Sequence, residues 1–228
     1  MSSRDRRGPA PSVIIRRTRP ADFDAIVAIS RRIYPRDRWR RDELASHLEI
    51  FPEGQLVAVG DDRVLGMAAS LVLSWDDYDY DESWHDYTGE AMFVTHDPSG
   101  RTLYGAEVMV DPDARRMGVG SALYAARREL VRDLGLWRIR AHSRLAGYHR
   151  HAADMDAHEY VRRVIRGQLD DPPLSFQLAW GFRVLAVVSG YLADDPQSLG
   201  KAALIEWLDE ETAPPEASAG RRADFAAS

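Results

Sequence analysis

The chain has 228 residues, no cysteine and a formal net charge of −6. That length suits one sizeable α/β core, the absence of thiols excludes disulfides, thiolate metal sites and cysteine nucleophiles, and the acidic balance argues against a nucleic-acid partner held through phosphates. No run approaches the ~18 apolar residues of a membrane span, and the Arg-rich start lacks the apolar stretch of a secretion signal, so a cytoplasmic protein with no membrane partner is expected.

In chain order, residues 1–12 are polar and rich in breakers, with Arg4, Arg6, Arg7, Pro9 and Pro11, and read as a disordered arm. The folded domain is expected over 13–210. Val13 to Ile15 reads as a short strand. Pro20 then opens an amphipathic helix whose Phe23, Ile26, Val27 and Ile33 recur at helical spacing. A second helix over about Arg40 to Ile50 stops at Pro52. Gln55 to Val59 and Arg63 to about Trp75 read as strands joined by Gly60-Asp61-Asp62, which is hairpin chemistry. The run from Asp76 to Glu90 alternates acidic and aromatic residues and reads as a solvated loop with a short helical turn. Ala91 to Val94 and Thr102 to Val110 are predicted to pair as strands across the turn Asp97-Pro98-Ser99-Gly100.

Leu123, Ala126, Leu130 and Leu134 then line one helical face, closed by Gly135. A strand follows at Leu136 to Ala141. Residues 147–173 interrupt the alternation and carry a helical pattern of their own at about Ala157 to Ile165, so they read as an insertion. A short helix from Leu174 to Trp180 ends at Gly181, strands follow at Phe182 to Val188 and Ala202 to Leu208, and 211–228 reads as a disordered tail.

The chemistry concentrates between Val108 and Ser121. Val108-Met109-Val110 ends a strand, Asp111-Pro112-Asp113 turns the chain, and Arg115-Arg116-Met117-Gly118-Val119-Gly120 leads into the amphipathic helix. A glycine-bearing loop between strand and helix puts free backbone N–H groups at the positive end of a helix dipole, which suits a pyrophosphate. The glycines allow close backbone approach and the two arginines add charge. No Lys-Ser or Lys-Thr follows, as a Walker loop requires, and no third glycine completes a dinucleotide fingerprint.

The string Val-x-Pro-x-x-Arg-Arg-x-Gly-x-Gly-Ser from Val110 to Ser121 resembles motif A of the GNAT acetyltransferase superfamily, and the order of elements over Val13 to Leu208 is similar to that fold. Gly181-Phe182 resembles the junction after the family's fourth helix. Gly147-Tyr148-His149-Arg150-His151, Glu159-Tyr160-Val161 and Leu174-Ser175-Phe176-Gln177-Leu178 resemble more closely the acetyltransferase-like domain fused to nitrilase-type carbon–nitrogen hydrolases. The resemblance implies an α/β (α+β) GNAT fold: a mixed, mostly antiparallel sheet of about seven strands flanked by helices, with a helical insertion between the fifth strand and the fourth helix. It implies acetyl-CoA as co-substrate, its pyrophosphate on the amides of Arg115, Arg116, Met117, Gly118, Val119, Gly120 and Ser121, and its pantetheine arm paired with the backbone of Val108, Met109 and Val110. A homodimer is compatible with the fold.

A lysine-like amine costs about 4–5 kcal/mol to deprotonate at pH 7, so acetyl transfer to an amine needs a base or a water chain. Glu107 is the candidate base, although strand alternation points it away from the face of Tyr104, Ala106 and Val108 unless a bulge resets the register. Glu90 and His96 are alternatives. Family members use a tyrosine four residues before the Gly-Phe junction as the acid that protonates the departing thiolate, and Gln177 stands there instead, which leaves Tyr148, Tyr191 or water. His149, His151 and His158 lie near Asp154 and Asp156 without compact ligand spacing, so no metal is expected. The sequence leaves the amine acceptor open and admits a second reading, a non-catalytic acyl-CoA-binding or partner-binding module.

Overall fold

The computed structural model describes residues 13–34 and 38–218. The expected disordered arm at 1–12 and residues 219–228 of the expected tail lie outside the described residues, whereas 211–218 of that tail are described, with a helical turn at Pro215–Ser218 and Ala217 buried. One seven-stranded sheet runs in the order β1-β2-β3-β4-β5-β7-β6. Its strands are β1 (Ile14–Arg17), β2 (Gln55–Gly60), β3 (Arg63–Leu73), β4 (Thr102–Val110), β5 (Arg138–Arg144), β6 (Arg183–Ser189) and β7 (Lys201–Leu208). β1/β2, β2/β3, β5/β7 and β6/β7 pair antiparallel. β4 pairs with β5 in parallel over Thr102, Leu103 and Tyr104. The helices are α1 (Phe23–Ile33), α2 (Arg41–Ile50), α3 (Trp84–Thr88), α4 (Val119–Asp133), α5 (Ala157–Ile165) and α6 (Pro172–Ala179). This is the expected mixed sheet flanked by helices.

By internal contacts the chain divides into two compact units, one made of the described residues up to Ala69 with Glu107–Arg127, the other of Ser70–Ala106 with the residues from Arg128 on. In the first, Leu56, Ala58, Leu65, Ala68, Ala114, Val119 and Leu123 form a buried cluster, with Ile15, Val108 and Val110 packed against it. Hairpin, loop and helix start therefore share one apolar core. In the second unit the acidic-aromatic segment divides by chemistry. Asp76, Asp77, Asp79 and Asp81 face solvent, while Trp75 and Tyr87 are buried and stack at 5.4 Å, and Tyr87 stacks on Tyr104 at 4.9 Å. Stacks of this kind add about 0.5–1.5 kcal/mol each beyond their burial.

Two sequence expectations change. Ala91 to Val94 is no strand: Gly89–Phe93 is an irregular, kinked turn in which Glu90, Ala91 and Phe93 take φ of 57°, 67° and 62°. Buried Phe93 and the bond from the Ala91 amide to Thr88 Oγ1 at 3.1 Å hold it there. The buried face of α4 is also rotated from the expected one. It carries Leu123, Tyr124, Arg127 and Val131, while Leu134 is 39% exposed. The helical insertion between β5 and α6 is present. Its Asp156 caps α5 by accepting from the Glu159 amide at 2.8 Å, and buried Asp171 accepts from the Gly147 amide and the Tyr160 hydroxyl, each at 2.9 Å.

Candidate functional site

The loop after β4 is fixed from both sides. The Asp111 amide donates to Leu65 O at 2.8 Å, and the Asp111 carbonyl accepts from the Ala114 amide at 2.8 Å. The Asp111 carboxylate accepts from the Asp113 amide at 3.0 Å and from Arg32 at 2.6 Å, and Arg32 also lies 3.1 Å from the Asp113 carboxylate. The hydrogen bond from Arg32 holds the Asp113 carboxyl below its usual range. On β3, a Cβ at Gly66 would stand 2.6 Å from Met109 O and 3.0 Å from Val119 Cγ1, so only glycine lets the end of β4 and the start of α4 approach this closely. Met109 is buried, while Val108 and Val110 pack half-buried on the opposite face.

Beyond Asp113 the chain opens to solvent. Arg115, Arg116, Met117 and Gly118 are all exposed, with Arg116 at φ 65° and Gly118 at φ 80°. A Cβ on Gly118 would meet nothing within 4 Å, so the backbone conformation and not space calls for glycine there. The first rung of α4 is the bond from the Ala122 amide to Gly118 O at 2.9 Å. The amides of Gly118, Val119, Gly120 and Ser121 thus precede the helical ladder at its positive end. Among the described residues no acid forms an ion pair with Arg115 or Arg116. Free amides, an open φ-positive turn and two exposed guanidinium groups together form a cradle that fits a diphosphate.

The structure brings Glu107 into the same unit as this loop. Glu107 is half-buried, and its Oε1 accepts from the Tyr34 hydroxyl at 3.2 Å and from the next amide, Val108 N–H, at 2.9 Å. Burial along β4 stops alternating here: Thr102 to Gly105 are all buried, and Ala106, Glu107 and Val108 are all half-buried. The Glu107 carbonyl accepts from the guanidinium of Arg127, which also donates to Ala69 O at 2.7 Å.

The remaining candidates belong to the second unit. Tyr148 is buried on a turn of the insertion, where its hydroxyl donates to Met155 O at 3.3 Å. The hydroxyls of Tyr191 and Tyr104 lie 3.0 Å apart, and that of Tyr104 lies 3.1 Å from His142 Nδ1. Burial pushes the His142 imidazole down to about 3 and the Tyr104 phenol well up. Gln177 is buried on α6. Glu90 is exposed and 3.3 Å from His85, and His96 Nδ1 accepts from the Val72 amide at 3.1 Å. His149 Nδ1 contacts Gln197 O at 3.0 Å. Among the described residues no group of three or more His, Asp or Glu is placed to hold a metal.

Sequence reasoning missed Arg32, Tyr34, Gly66 and Arg127. A glycine inside a strand pattern is a known mark of close backbone approach, and an arginine spaced four residues from Leu123 and from Val131 breaks an apolar stripe. The partners of Arg32 and Tyr34 stand 79 and 73 residues away along the chain, and no local signal names them.

The sequence profile of the Acetyltransferase (GNAT) family matches residues 23–153. The chain is 40% identical over 203 residues to the probable hydrolase YhcX of Bacillus subtilis, covering 89% of this chain but only 40% of that protein. It is 32% identical to the uncharacterized N-acetyltransferase YkwB of the same organism, covering 86% of this chain and 88% of the relative. A solved GNAT-like decarboxylase, GphF in complex with isobutyryl-CoA, superposes with a TM-score of 0.70 at 26% identity, covering 86% of this chain and 98% of that one. No helix among the described residues is long and apolar enough to cross a membrane. The profile, the full-length relative and the strand, loop and helix of Val108 to Ser121 agree: the chain belongs to the acetyltransferase (GNAT) family.

Proposed function

We propose that the chain is an N-acyltransferase that takes an acetyl group from acetyl-CoA and passes it directly to a primary amine of a small molecule or peptide. The observation that carries this reading is the set of amides from Gly118 to Ser121, ahead of the helical ladder and flanked by exposed Arg115 and Arg116. These amides would hold the pyrophosphate. The backbone of Val108, Met109 and Val110, past Tyr104 as the last registered partner of β5, would pair with the pantetheine arm. The family membership and a neighbour solved with an acyl-CoA support the same co-substrate.

In the transfer step the neutral amine attacks the thioester carbonyl, the C–N bond forms, the C–S bond breaks and the thiolate leaves. Glu107, whose Oε1 is oriented by Tyr34 and the Val108 amide, would take the amine's proton directly or through water. Tyr148 is the proposed acid for the thiolate. With a thiol pKa of about 8.5, the leaving group tolerates a weak acid or water in that role.

A second reading is an acyl-CoA-binding module without turnover, favoured by buried Gln177 where related enzymes carry a tyrosine. Titration calorimetry with acetyl-CoA, followed by thiol release over a panel of amines, separates the two. Binding with turnover supports the enzyme, binding without turnover supports the module, and absence of binding overturns both.

A further inference from the structure

Arg127 is 2% exposed, in the third turn of a helix whose first turn holds the diphosphate cradle. Burial lowers its pKa, with the charges of Tyr124 and Glu107 acting the other way. Taking a guanidinium out of water is costly, and a helix position facing an apolar core is filled more cheaply by leucine or methionine. What Arg127 does there is specific. One nitrogen, Nη2, has two N–H groups, and it donates to Ala69 O on β3 and to Glu107 O on β4. The strands are neighbours in the sheet, and the Glu107 carbonyl belongs to the stretch where β4 stops alternating.

We infer that Arg127 is a positioning residue that ties α4 to the main chain of β4, so that the diphosphate cradle and the backbone of Val108 to Val110 keep the spacing needed to bind one acyl-CoA along its length. The inference rests on the acyl-CoA reading above. Only about two helical turns separate Arg127 from Ser121, so the guanidinium links the helix that carries the cradle to the strand that would pair with the pantetheine. Through the Glu107 carbonyl it also fixes the residue that presents the proposed base. Arginine fixes the two N–H groups of that nitrogen in the guanidinium plane, whereas an ammonium on a flexible stem has donors enough but does not hold them in that geometry.

The test uses the full chain and the variants Arg127→Met, which fills the volume, and Arg127→Lys, which keeps the charge. Two ligands are titrated: acetyl-CoA, and adenosine 3′-phosphate 5′-diphosphate, which carries the diphosphate without the pantetheine. Loss of register along β4 should weaken acetyl-CoA by about tenfold or more in both variants while the fragment changes by less than about twofold. Hydrogen exchange of the unliganded variants should speed up at Glu107 to Val110. Equal weakening of both ligands, or unchanged affinity with unchanged exchange, overturns the inference while leaving the acyl-CoA reading intact. A wild-type chain that binds neither ligand while the variants still loosen β4 overturns the acyl-CoA reading and leaves Arg127 as the strand's anchor. If the Met variant does not fold, the Lys variant and its exchange pattern decide alone.

Discussion

His142 gives the sharpest test of the second unit, because it is the buried imidazole whose titration is most displaced. Its Nδ1 faces the Tyr104 hydroxyl at 3.1 Å, its Nε2 faces Tyr80 O at 3.4 Å, and its ring stacks on Tyr191 at 4.5 Å. One proton order fits: Nε2 carries the hydrogen toward the carbonyl and Nδ1 accepts from Tyr104. Charging the ring inside this cage is resisted mainly by desolvation, which pushes the folded-state value down to about 3. In the unfolded chain the value returns to about 6.5. The folded state therefore binds fewer protons than the unfolded one between these limits. The His142 contribution is complete above about pH 6.5 and is lost as the pH falls from there toward 3. Linkage over this interval gives a loss of about 2 kcal/mol between pH 7.5 and pH 5, a drop of about 4–8 °C in Tm for a chain of this size. His142→Gln removes the titrating group and keeps an acceptor for Tyr104. Melting curves of both proteins at pH 7.5 and 5.0 should show the wild type losing that much more than the variant. Parallel shifts in the two proteins would refute the reasoning, since every other acid-labile group is common to both.

Gly120→Trp should abolish acetyl-CoA binding by filling the cradle, and calorimetry showing unchanged affinity would count against the site. Glu107→Gln should lower turnover by about 10²–10⁴-fold, with acetyl-CoA affinity held within a few fold, if the carboxylate takes the amine's proton; initial rates against pH with a saturating amine check this, and an unaltered rate would remove Glu107 from the chemistry. Tyr160→Phe leaves buried Asp171 without one of its donors and should cost about 1.5–3 kcal/mol, seen as a fall in Tm with no change in acetyl-CoA affinity.

Where the sequence read well, the signal was local. The hairpin of β2 and β3, the loop after β4, the start of α4 and the insertion each announce themselves by period and by turn residues within a dozen positions. The failure at Gly89–Phe93 is instructive because the letters Ala-Met-Phe-Val do suit a strand. Three residues with positive φ are held there by contacts, not by propensity, and single-residue strain of that kind has no period to detect. The rotated face of α4 has a similar cause. Ala126, Leu130 and Leu134 are apolar and regularly spaced, yet the face that turns inward carries Arg127, whose stabilising partners are main-chain carbonyls that no pattern displays.

The candidate site divides along the same line. The proposed diphosphate cradle is built of backbone, so its glycines and the strand-to-helix change of period expose it to a reader of the sequence. The groups that aim it are side chains reaching across the fold: Arg32 onto Asp111, Tyr34 onto Glu107, Arg127 onto two strands. Each of these contacts is worth only a few kcal/mol at most. Together they decide whether an exposed loop is a loose turn or a cradle at a fixed distance from a strand and a carboxylate, which under the proposed function would be the difference between gripping the diphosphate of an acyl-CoA and also presenting its thioester to an amine.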